Sequence, residues 1–356
     1  MKHIGKSYDK VDAKGILSGK PSYTGDFVPK DALIIKVLRS PHAQAKIKSI
    51  DTSKAKLIPG VEAIFTYEDV PNTRFTLAGQ TYPEPSAYDA LILDPVVRYV
   101  GDEVALVVAK DEATALKAMP LIKVEYEVQK PVLDLRTAID HETVVHPEDD
   151  ILNHIPVGQD YKRNICVSYH KRVGDIEEEL AKCDYVVEGT YFDQATRQSA
   201  MEPFQSFGYI DHLGRIVIVS STQIVFHVRR HIARALGIPA SKIRVIKPRI
   251  GGGFGSKQTA CTELMTAFVT WKLQKPCYLL YDRTEAQTCS TTRHAREWKI
   301  RVGATKDGII KVIDMDSITA AGAHATHCFT TTTAGEHKSV PLYNKATAVH
   351  YGTEGV

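Results

Sequence analysis

The sequence predicts a protein of mixed α/β and α+β class with two domains. Its 356 residues are about enough for two domains of ordinary size. Short segments rich in β-branched residues alternate along the chain with segments that repeat apolar residues at helical spacing, and this alternation is typical of sheets covered by helices. Several of the strand-like segments are apolar throughout, which indicates strands buried on both faces.

The first predicted domain comprises residues 1–140 and mixes strands with one clear helix. Residues 32–41 are predicted to form a strand that stops at a proline, and residues 97–109 two strands around a Gly-Asp turn. The helix that follows has Asp111 as its expected N-cap. The alternating segment "KVEYEVQKP" predicts a further strand that ends at a proline.

Residues 141–163 are polar and irregular, and they are predicted to connect the first domain to a second one at residues 164–356. In the second domain "GRIVIVSSTQ" and "KIRVIKPRI" predict strands, and "VFHVRRHIARALGI" predicts a helix with Gly237 as its C-cap. The segment "TACTELMTAFVTWKL" predicts a long apolar helix. A Lys-Asp-Gly turn near residue 307 predicts a hairpin of two strands.

Charge and composition argue against several classes of function. The net charge is only +3 and no block of basic residues occurs, so nucleic-acid binding is not expected. No apolar run reaches the roughly 18 residues that span a bilayer, and the N-terminus lacks the apolar centre of a secretory signal. The six cysteines form no CxxC motif and are expected to be free thiols. We therefore expect a cytoplasmic protein.

The most unusual segment is "IGGGFGSKQ" at residues 250–258, between a predicted strand and a predicted helix. Glycines allow the backbone to approach a ligand without interference from side chains. The N-terminus of a helix offers free N–H groups and the positive end of the helix dipole. The position therefore suits an anion or a polarised oxygen, and a tight turn that only packs a helix is the alternative.

Two known phosphate-binding motifs do not fit this segment. The dinucleotide pattern GxGxxG has Ser256 in place of its third glycine, and the P-loop pattern requires Gly-Lys-Ser/Thr where the chain has Ser-Lys-Gln. A phosphate-binding domain is therefore disfavoured. Gln223, at the end of the strand predicted for residues 214–223, is a second candidate. Its amide either faces a ligand at the sheet edge or makes a local hydrogen bond.

Several segments together resemble the molybdenum-binding subunit of the xanthine dehydrogenase family. They are "STQ", the helix end "ALGIP" and "KIRVIKPRIGGGFGSKQ". The segments "LRSPHAQAKIKSIDTSKAKLIPGVEAIFTYEDVP" and "RYVGDEVALVVAKDEATALKA" resemble the α/β hammerhead domain of that family. The segments "QSAMEP" and "YDRTEAQTCSTTRHAREWKIRVGATKDGII" resemble the first part of its molybdopterin-binding domain. The resemblance covers essentially the whole chain and is strongest to bacterial three-subunit enzymes.

The resemblance implies a molybdenum hydroxylase. In that family a molybdopterin cofactor carries molybdenum with oxo, sulfido and hydroxide ligands, and the hydroxide attacks an electron-poor carbon of a purine or an aldehyde. Electrons then pass through iron–sulfur centres to flavin. We therefore expect a molybdopterin-type cofactor in a dinucleotide form and a small-molecule substrate. The expected partners are an iron–sulfur subunit and an FAD-binding subunit, with no nucleic acid and no membrane.

The resemblance also implies roles for individual residues. Gln223 corresponds to a glutamine that hydrogen-bonds the apical oxo group, and the backbone N–H of Phe254 would be offered to a metal-bound oxygen. Gln258 falls where purine-oxidising relatives carry a substrate-binding glutamate, and its neutral amide can still donate and accept hydrogen bonds. The predicted contacts to the cofactor are Gln223, Gly252, Gly253, Phe254 and Gly255.

Members of the family are about twice as long as this sequence. An "AFRGxG" loop, most pterin contacts and the general-base glutamate would follow residue 356, so no catalytic base is expected here. We expect the N-terminal half of a subunit, either truncated or one chain of a subunit split in two, that is inactive without the other half. An aldehyde- or nicotinate-oxidising relative and an inert assembly or docking module are the alternatives.

Two other groups of residues are weaker candidates. His324, His327 and Cys328 in "HATHC" have a spacing that a helix could turn into a metal site, but the surrounding sequence predicts strand and loop. Glu202 in "QSAMEP" is expected to form a structural turn near the cofactor pocket, because Pro203 restricts the backbone. Arg293 is expected to make surface hydrogen bonds.

Overall fold

Strands and helices alternate along the chain, as the sequence predicts. The computed structural model describes residues 3–79 and 81–356, without the side chains at positions 336, 337 and 339. The predicted first domain starts at residue 1, and residues 1 and 2 lie outside the described residues. Within the described part, the strands are β1 (Leu33–Arg39), β2 (Ala45–Asp51), β3 (Val61–Phe65), β4 (Val96–Val97), β5 (Glu103–Ala109), β6 (Lys123–Val128), β7 (Val167–Val173), β8 (Tyr185–Asp193), β9 (Gln205–Ile210), β10 (Ile216–Ser220), β11 (Ile243–Ile246), β12 (Cys277–Leu280), β13 (Arg296–Ala304), β14 (Ile310–Thr319) and β15 (Ala348–Gly355). The α-helices are α1 (Ala13–Leu17), α2 (Ser53–Lys56), α3 (Glu112–Ala118), α4 (Ile176–Leu180), α5 (Val225–Leu236), α6 (Glu263–Leu273), α7 (Arg283–Thr288) and α8 (Cys328–Ser339).

The largest sheet has seven strands in the order β11-β10-β9-β12-β1-β5-β3. Within it β1 runs parallel to β12, with Leu33 opposite Cys277, and β10 runs parallel to β11. Three of these strands precede the predicted connection at residues 141–163 and four follow it. Both predicted domains therefore contribute to one sheet, and the division between them stays a prediction.

The two strands predicted at residues 97–109 exist as β4 and β5, but they do not pair with each other. β4 pairs with β2 in a three-stranded sheet that also contains β6, whereas β5 pairs with β1 and β3. The turn between β4 and β5 has Gly101 at a φ of +102°. Its Asp102 carboxylate accepts hydrogen bonds from the N–H groups of Arg98 and Glu103. This turn directs the chain from one sheet into the other.

A second large sheet has five strands in the order β7-β15-β14-β13-β8. Its centre is the antiparallel hairpin β13–β14, which confirms the hairpin predicted around the Lys-Asp-Gly turn. Gly308 in this turn adopts a φ of +77°, a left-handed conformation that favours glycine. β15 lies parallel to β14, with Val312 opposite Ala348.

Helices α5 and α6 pack on the seven-stranded sheet and supply much of its core. Val228 and Ile232 on α5 are completely buried, and Gly237 ends this helix in the left-handed conformation predicted for a C-cap. α6 is buried along most of its length, and its Phe268 packs edge-on against Phe65 of β3. None of the helices in the described residues has both the length and the apolar character needed to cross a bilayer.

Buried His231 on α5 predicts that acid weakens the fold. Burial lowers the pKa of His231 to about 3, and the positive charge of Arg230 acts in the same direction. An unfolded histidine titrates near ~6.5, so between about pH 6.5 and 3 the unfolded chain binds a proton that the native protein does not. The free energy of unfolding therefore falls as the pH falls through this window.

We expect the substitution His231→Leu to make this acid-dependent fall shallower. The substitution removes one proton from the difference in proton binding between the unfolded and native states, which changes the pH dependence of the free energy of unfolding by up to about 1.4 kcal/mol per pH unit. Urea unfolding curves between about pH 4 and 7 measure this change. His212, which is exposed, provides the matched control His212→Leu. Equal slopes in the wild type and both variants would show that His231 is not the responsible group.

Candidate functional site

The candidate site lies where two parallel strands of the seven-stranded sheet end. β10 and β11 run side by side in the same direction, so the segments that follow them emerge at the same edge, which is where ligands bind in many open α/β sheets. Ser221 and Thr222 follow β10 and are buried, whereas Gln223 is exposed. Residues 250–255, called the glycine loop below, follow β11.

Gln223 and the glycine loop are in direct contact. The side-chain Oε1 of Gln223 accepts a hydrogen bond of 3.2 Å from the N–H of Gly255, and the backbone N–H of Gln223 donates to the carbonyl of Lys257 at 2.8 Å. Because Oε1 is held by the loop, the donor Nε2 is the end of the amide that remains for a ligand. The structure thus brings together the two features that the sequence singles out.

Close packing explains why the loop needs glycine. A Cβ atom at Gly253 would lie 2.5 Å from Oε1 of Gln223, so any side chain there would displace the amide. Gly255 adopts a φ of +95°, which residues other than glycine rarely adopt. The contact between the loop and Gln223 therefore depends on both glycines.

Phe254 has an unusual conformation at the tip of the loop. Its φ is +51° and its side chain is 65% exposed, although a bulky residue is disfavoured at positive φ and such strain often marks functional sites. Arg293 Nη2 donates to the Phe254 carbonyl at 2.8 Å, an exposed hydrogen bond of the kind predicted for Arg293. Among the described residues, no acceptor pairs with the N–H groups of Gly253 and Phe254. The loop thus presents two free backbone donors.

A buried ion pair, called the anchor pair below, holds the loop from behind. Lys257 Nζ lies 2.9 Å from Oε2 of Glu202, and their side chains are only 2% and 9% exposed. The same Glu202 oxygen accepts a 2.6 Å hydrogen bond from the N–H of Gly251. Burial lowers the pKa of Lys257, and the charge of Glu202 opposes that shift. Glu202 therefore fixes the start of the loop, in agreement with the structural role predicted for it.

The long helix predicted after the glycine segment exists as α6, but it starts later than predicted and does not follow the segment directly. Residues Ser256–Gln258 form a short 3-10 helix, and α6 begins only at Glu263. The side chain of Lys257 in this 3-10 helix is buried. The N-terminus of α6 is also buried, and it is occupied by Glu263, which accepts a 2.6 Å hydrogen bond from Ser220 Oγ. The donors at the site are therefore amides of the loop itself, and the dipole of α6 does not contribute them.

Gln258 lies directly behind the loop and is half-buried. Its N–H donates to the carbonyl of Gly255 at 3.1 Å, and its carbonyl accepts a 3.1 Å hydrogen bond from Nε2 of His327. His324 lies elsewhere, 3.5 Å from the carboxylate of Asp89, and Cys328 starts α8. The residues of "HATHC" thus do not form one site, because the chain bends into α8 between them.

A cavity of about 280 Å³ opens beside the segment that follows the loop, and Asp102 and His294 are among its lining residues. Burial and the neighbouring charge of Glu103 raise the pKa of Asp102 to about 7. Asp102 cannot be recognised as a buried acid from the sequence. Its Gly-Asp context indicates a turn, and turns are usually exposed, so no local signal reveals its burial.

Comparisons with known proteins agree with the resemblance seen in the sequence. A family model described as the molybdopterin cofactor-binding domain matches residues 157–356, and a model of the aldehyde oxidase and xanthine dehydrogenase a/b hammerhead domain matches residues 18–130. The fold is similar to that of the aldehyde oxidoreductase from Desulfovibrio gigas, with a TM-score of 0.86 and 24% sequence identity over 99% of this chain and 38% of that chain.

Two curated relatives show the extent of the match. The chain is 38% identical to the probable hypoxanthine oxidase XdhD of Escherichia coli (strain K12), over 96% of this chain and 38% of that protein. It is 30% identical to the nicotinate dehydrogenase large molybdopterin subunit of Eubacterium barkeri, over 91% of this chain and 72% of that subunit. The chain thus spans about two fifths of the first relative and nearly three quarters of the second.

Proposed function

The chain belongs to the aldehyde oxidase and xanthine dehydrogenase family of molybdenum-dependent oxidoreductases, and from this premise we propose that it forms part of the molybdenum subunit of a hydroxylase. The family matches confirm the resemblance predicted from the sequence. They also confirm the predicted fold class, an α/β hammerhead region followed by a molybdopterin-binding region. The proposal concerns the activity, the substrate and the site residues.

The residues of the glycine loop fit a group rich in polar oxygen atoms. Close approach is possible because a side chain at Gly253 would overlap Gln223, and the free N–H groups of Gly253 and Phe254 are hydrogen-bond donors. The amide of Gln223 adds a third donor. Gly252, Gly253, Phe254 and Gly255 would thus hold the molybdenum cofactor together with Gln223.

When bound, the cofactor supplies an oxygen derived from water and takes up two electrons from the substrate. The residues of this chain orient and stabilise polar oxygen by hydrogen bonding. Gln223 offers Nε2 while Gly255 holds its Oε1 in place, so the donor is fixed before the reaction and needs no reorientation. Gln258 would bind the substrate through a neutral amide that both donates and accepts.

We propose a purine-like nitrogen heterocycle as the substrate. The names of the two curated relatives include hypoxanthine and nicotinate, which are both electron-poor nitrogen heterocycles. Electrons would pass to partner subunits that carry iron–sulfur centres and FAD, and the cofactor would be a dinucleotide form. A further part of the molybdenum subunit, with a general base, would complete the site. The cytoplasmic location stays a prediction.

The observation that carries the proposal is the hydrogen bond between Gly255 and Gln223, which joins the two segments into one surface of donors. To test the proposal, the complex that contains the tagged chain is isolated from cells that make the cofactor, and its molybdenum, iron and flavin contents are measured. We expect about one molybdenum per chain and oxidation of hypoxanthine or xanthine, whereas oxidation of nicotinate alone would support a nicotinate-oxidising relative.

Two other outcomes would contradict this proposal in different ways. A complex that carries molybdenum but oxidises only aldehydes would support an aldehyde-oxidising relative and would overturn the proposed substrate class. A complex that assembles without molybdenum would support a docking module without catalytic activity. The second result would overturn the cofactor assignment itself.

A further inference from the structure

A cluster of potential metal ligands lies outside the glycine loop. It consists of Asp89, His146 and His324, called the Asp-His cluster below, and one ligand atom of each lies within 4.8 Å of the others. Asp89 belongs to the segment between β3 and β4, His146 to the segment between β6 and β7, and His324 to the loop between β14 and α8. Three distant parts of the chain therefore converge on one point.

The atoms that face each other in this cluster are buried and make no ordinary hydrogen bond within the described part of the chain, although Asp89 and His324 lie within ion-pair distance. Among the described residues, no hydrogen-bond partner is found for Asp89 Oδ1, His146 Nδ1 or His324 Nδ1. The side chains of Asp89 and His146 are only 2% and 9% exposed. Buried polar atoms are nearly always paired, and leaving several unpaired in one place is costly. Something that binds all three atoms would remove this cost.

Neighbouring groups fix the ligand atoms in orientations that suit a cation. His146 Nε2 donates to the carbonyl of Ala323 at 2.7 Å, so in the neutral imidazole Nδ1 carries a lone pair. This arrangement, a backbone carbonyl on the second ring nitrogen, is typical of histidines that bind metals. The other oxygen of Asp89 accepts a 2.7 Å hydrogen bond from the N–H of Ala325, which likewise fixes the carboxylate.

The spacing between the Asp89 and His324 ligand atoms suits a small divalent ion. Ligand atoms that are about 2.0 to 2.1 Å from a tetrahedral zinc ion lie about 3.3 Å apart. Asp89 Oδ1 and His324 Nδ1 are 3.5 Å apart, which is longer than an ordinary hydrogen bond but close to this ligand spacing. His146 Nδ1 is also 3.5 Å from Oε2 of Glu148, another buried oxygen without a partner in the described residues.

The charged groups around the cluster favour a bound cation. Arg98 pairs with Oε1 of Glu148 and with Asp94, so its charge is already compensated, and Oε2 of Glu148 remains. Two adjoining cavities of about 280 and 360 Å³ share Arg98 as a lining residue; His324 lines the first, and Asp89 and His146 line the second. The cavities provide a path by which an ion could enter.

We propose that Asp89, His146 and His324 bind a divalent first-row transition-metal ion, with Zn²⁺ as the best-fitting example. Imidazole and carboxylate ligands suit zinc, and three protein ligands leave a fourth position for water or for Glu148. The ion would clamp the segment before β7 and the loop after β14 to the segment that carries Asp89. This site is separate from the glycine loop and does not depend on the function proposed for the loop.

The test uses the full chain, stripped with a chelator and titrated with Zn²⁺ in competition with a coloured zinc indicator. We expect one zinc ion per chain, and at least about tenfold weaker binding in each of the variants His146→Gln and His324→Gln. The matched control is His170→Gln. His170 belongs to a second, more exposed group with Asp316 and His350, and its substitution is expected to leave the affinity unchanged.

Substitution by Co²⁺ gives a readout that needs no variant. We expect the visible absorption of four- or five-coordinate cobalt without the charge-transfer band of a cysteine ligand, because none of the proposed ligands is a thiolate. The proposal is overturned if the folded wild-type chain binds no zinc, if the cobalt spectrum shows thiolate ligation, or if His170→Gln weakens binding as much as His324→Gln.

Discussion

Replacing Glu202 with alanine is expected to lower the free energy of unfolding by about 3–5 kcal/mol, because the substitution leaves the Lys257 ammonium buried without its counter-charge. Lys257 Nζ contacts both the carboxylate and the backbone carbonyl of Glu202, at 2.9 and 3.0 Å. The variant also removes the acceptor for the N–H of Gly251. Denaturant unfolding curves measure the loss.

Two further variants separate the buried charge from other effects of the substitution. The double variant Glu202→Ala with Lys257→Met removes both charges, and we expect it to be more stable than Glu202→Ala alone. Glu142 forms an exposed ion pair with Lys130, with side chains 65% and 68% exposed. Glu142→Ala is therefore expected to change stability far less. If Glu202→Ala and Glu142→Ala had equal effects, the anchor pair would not be what stabilises the loop.

Local patterns in the sequence were sufficient to predict individual elements. The helical spacing of Val228 and Ile232 predicts α5, and Gly237 predicts where this helix ends. Both features are local, since they involve only one or two turns of the helix. The hairpin β13–β14 is predictable for the same reason, since a short turn fixes the pairing of its two strands. These elements form where the sequence indicates.

The order of strands in the sheets could not be predicted from such patterns. β1 pairs with β12 although Leu33 and Cys277 are far apart in the sequence, and β5 leaves β4 to join another sheet. Pairing of this kind depends on which apolar faces can be buried together, and a short stretch of sequence contains no information about that. The helix N-terminus does not lie at the glycine loop as expected, for a related reason. The Lys257 side chain is held by Glu202, which is distant in the sequence.

The candidate site was only partly predictable. The glycines stand out because such a run is unusual, and Gln223 stands out because it belongs to the segments that resemble a known family. The anchor pair and the Asp-His cluster do not stand out, because each joins residues from separate segments that are individually ordinary. Isolated histidines and acids are common in any sequence, and only the fold shows that His146 and His324 meet.

Replacing Gln223 with alanine in the molybdenum-containing complex is expected to lower kcat by about 100- to 1000-fold with little change in KM. This magnitude is typical of removing one fixed donor from a developing negative charge. Gln129, which is exposed and far from the glycine loop in the sequence, provides the control Gln129→Ala, for which we expect wild-type turnover. Molybdenum content is measured in parallel, because loss of the metal would indicate a role in holding the cofactor.

The variant Gln223→Glu tests the donor itself. Glutamate can keep the acceptor that Gly255 binds through its N–H at 3.2 Å, but it lacks the Nε2 donor and adds a negative charge. If donation from Nε2 is what stabilises the reaction, Gln223→Glu must be at least as slow as Gln223→Ala even though the loop contact is retained. A Gln223→Glu enzyme with near-wild-type kcat would mean that the contact with Gly255 alone matters. Gln223 would then position the loop without acting on the reacting group.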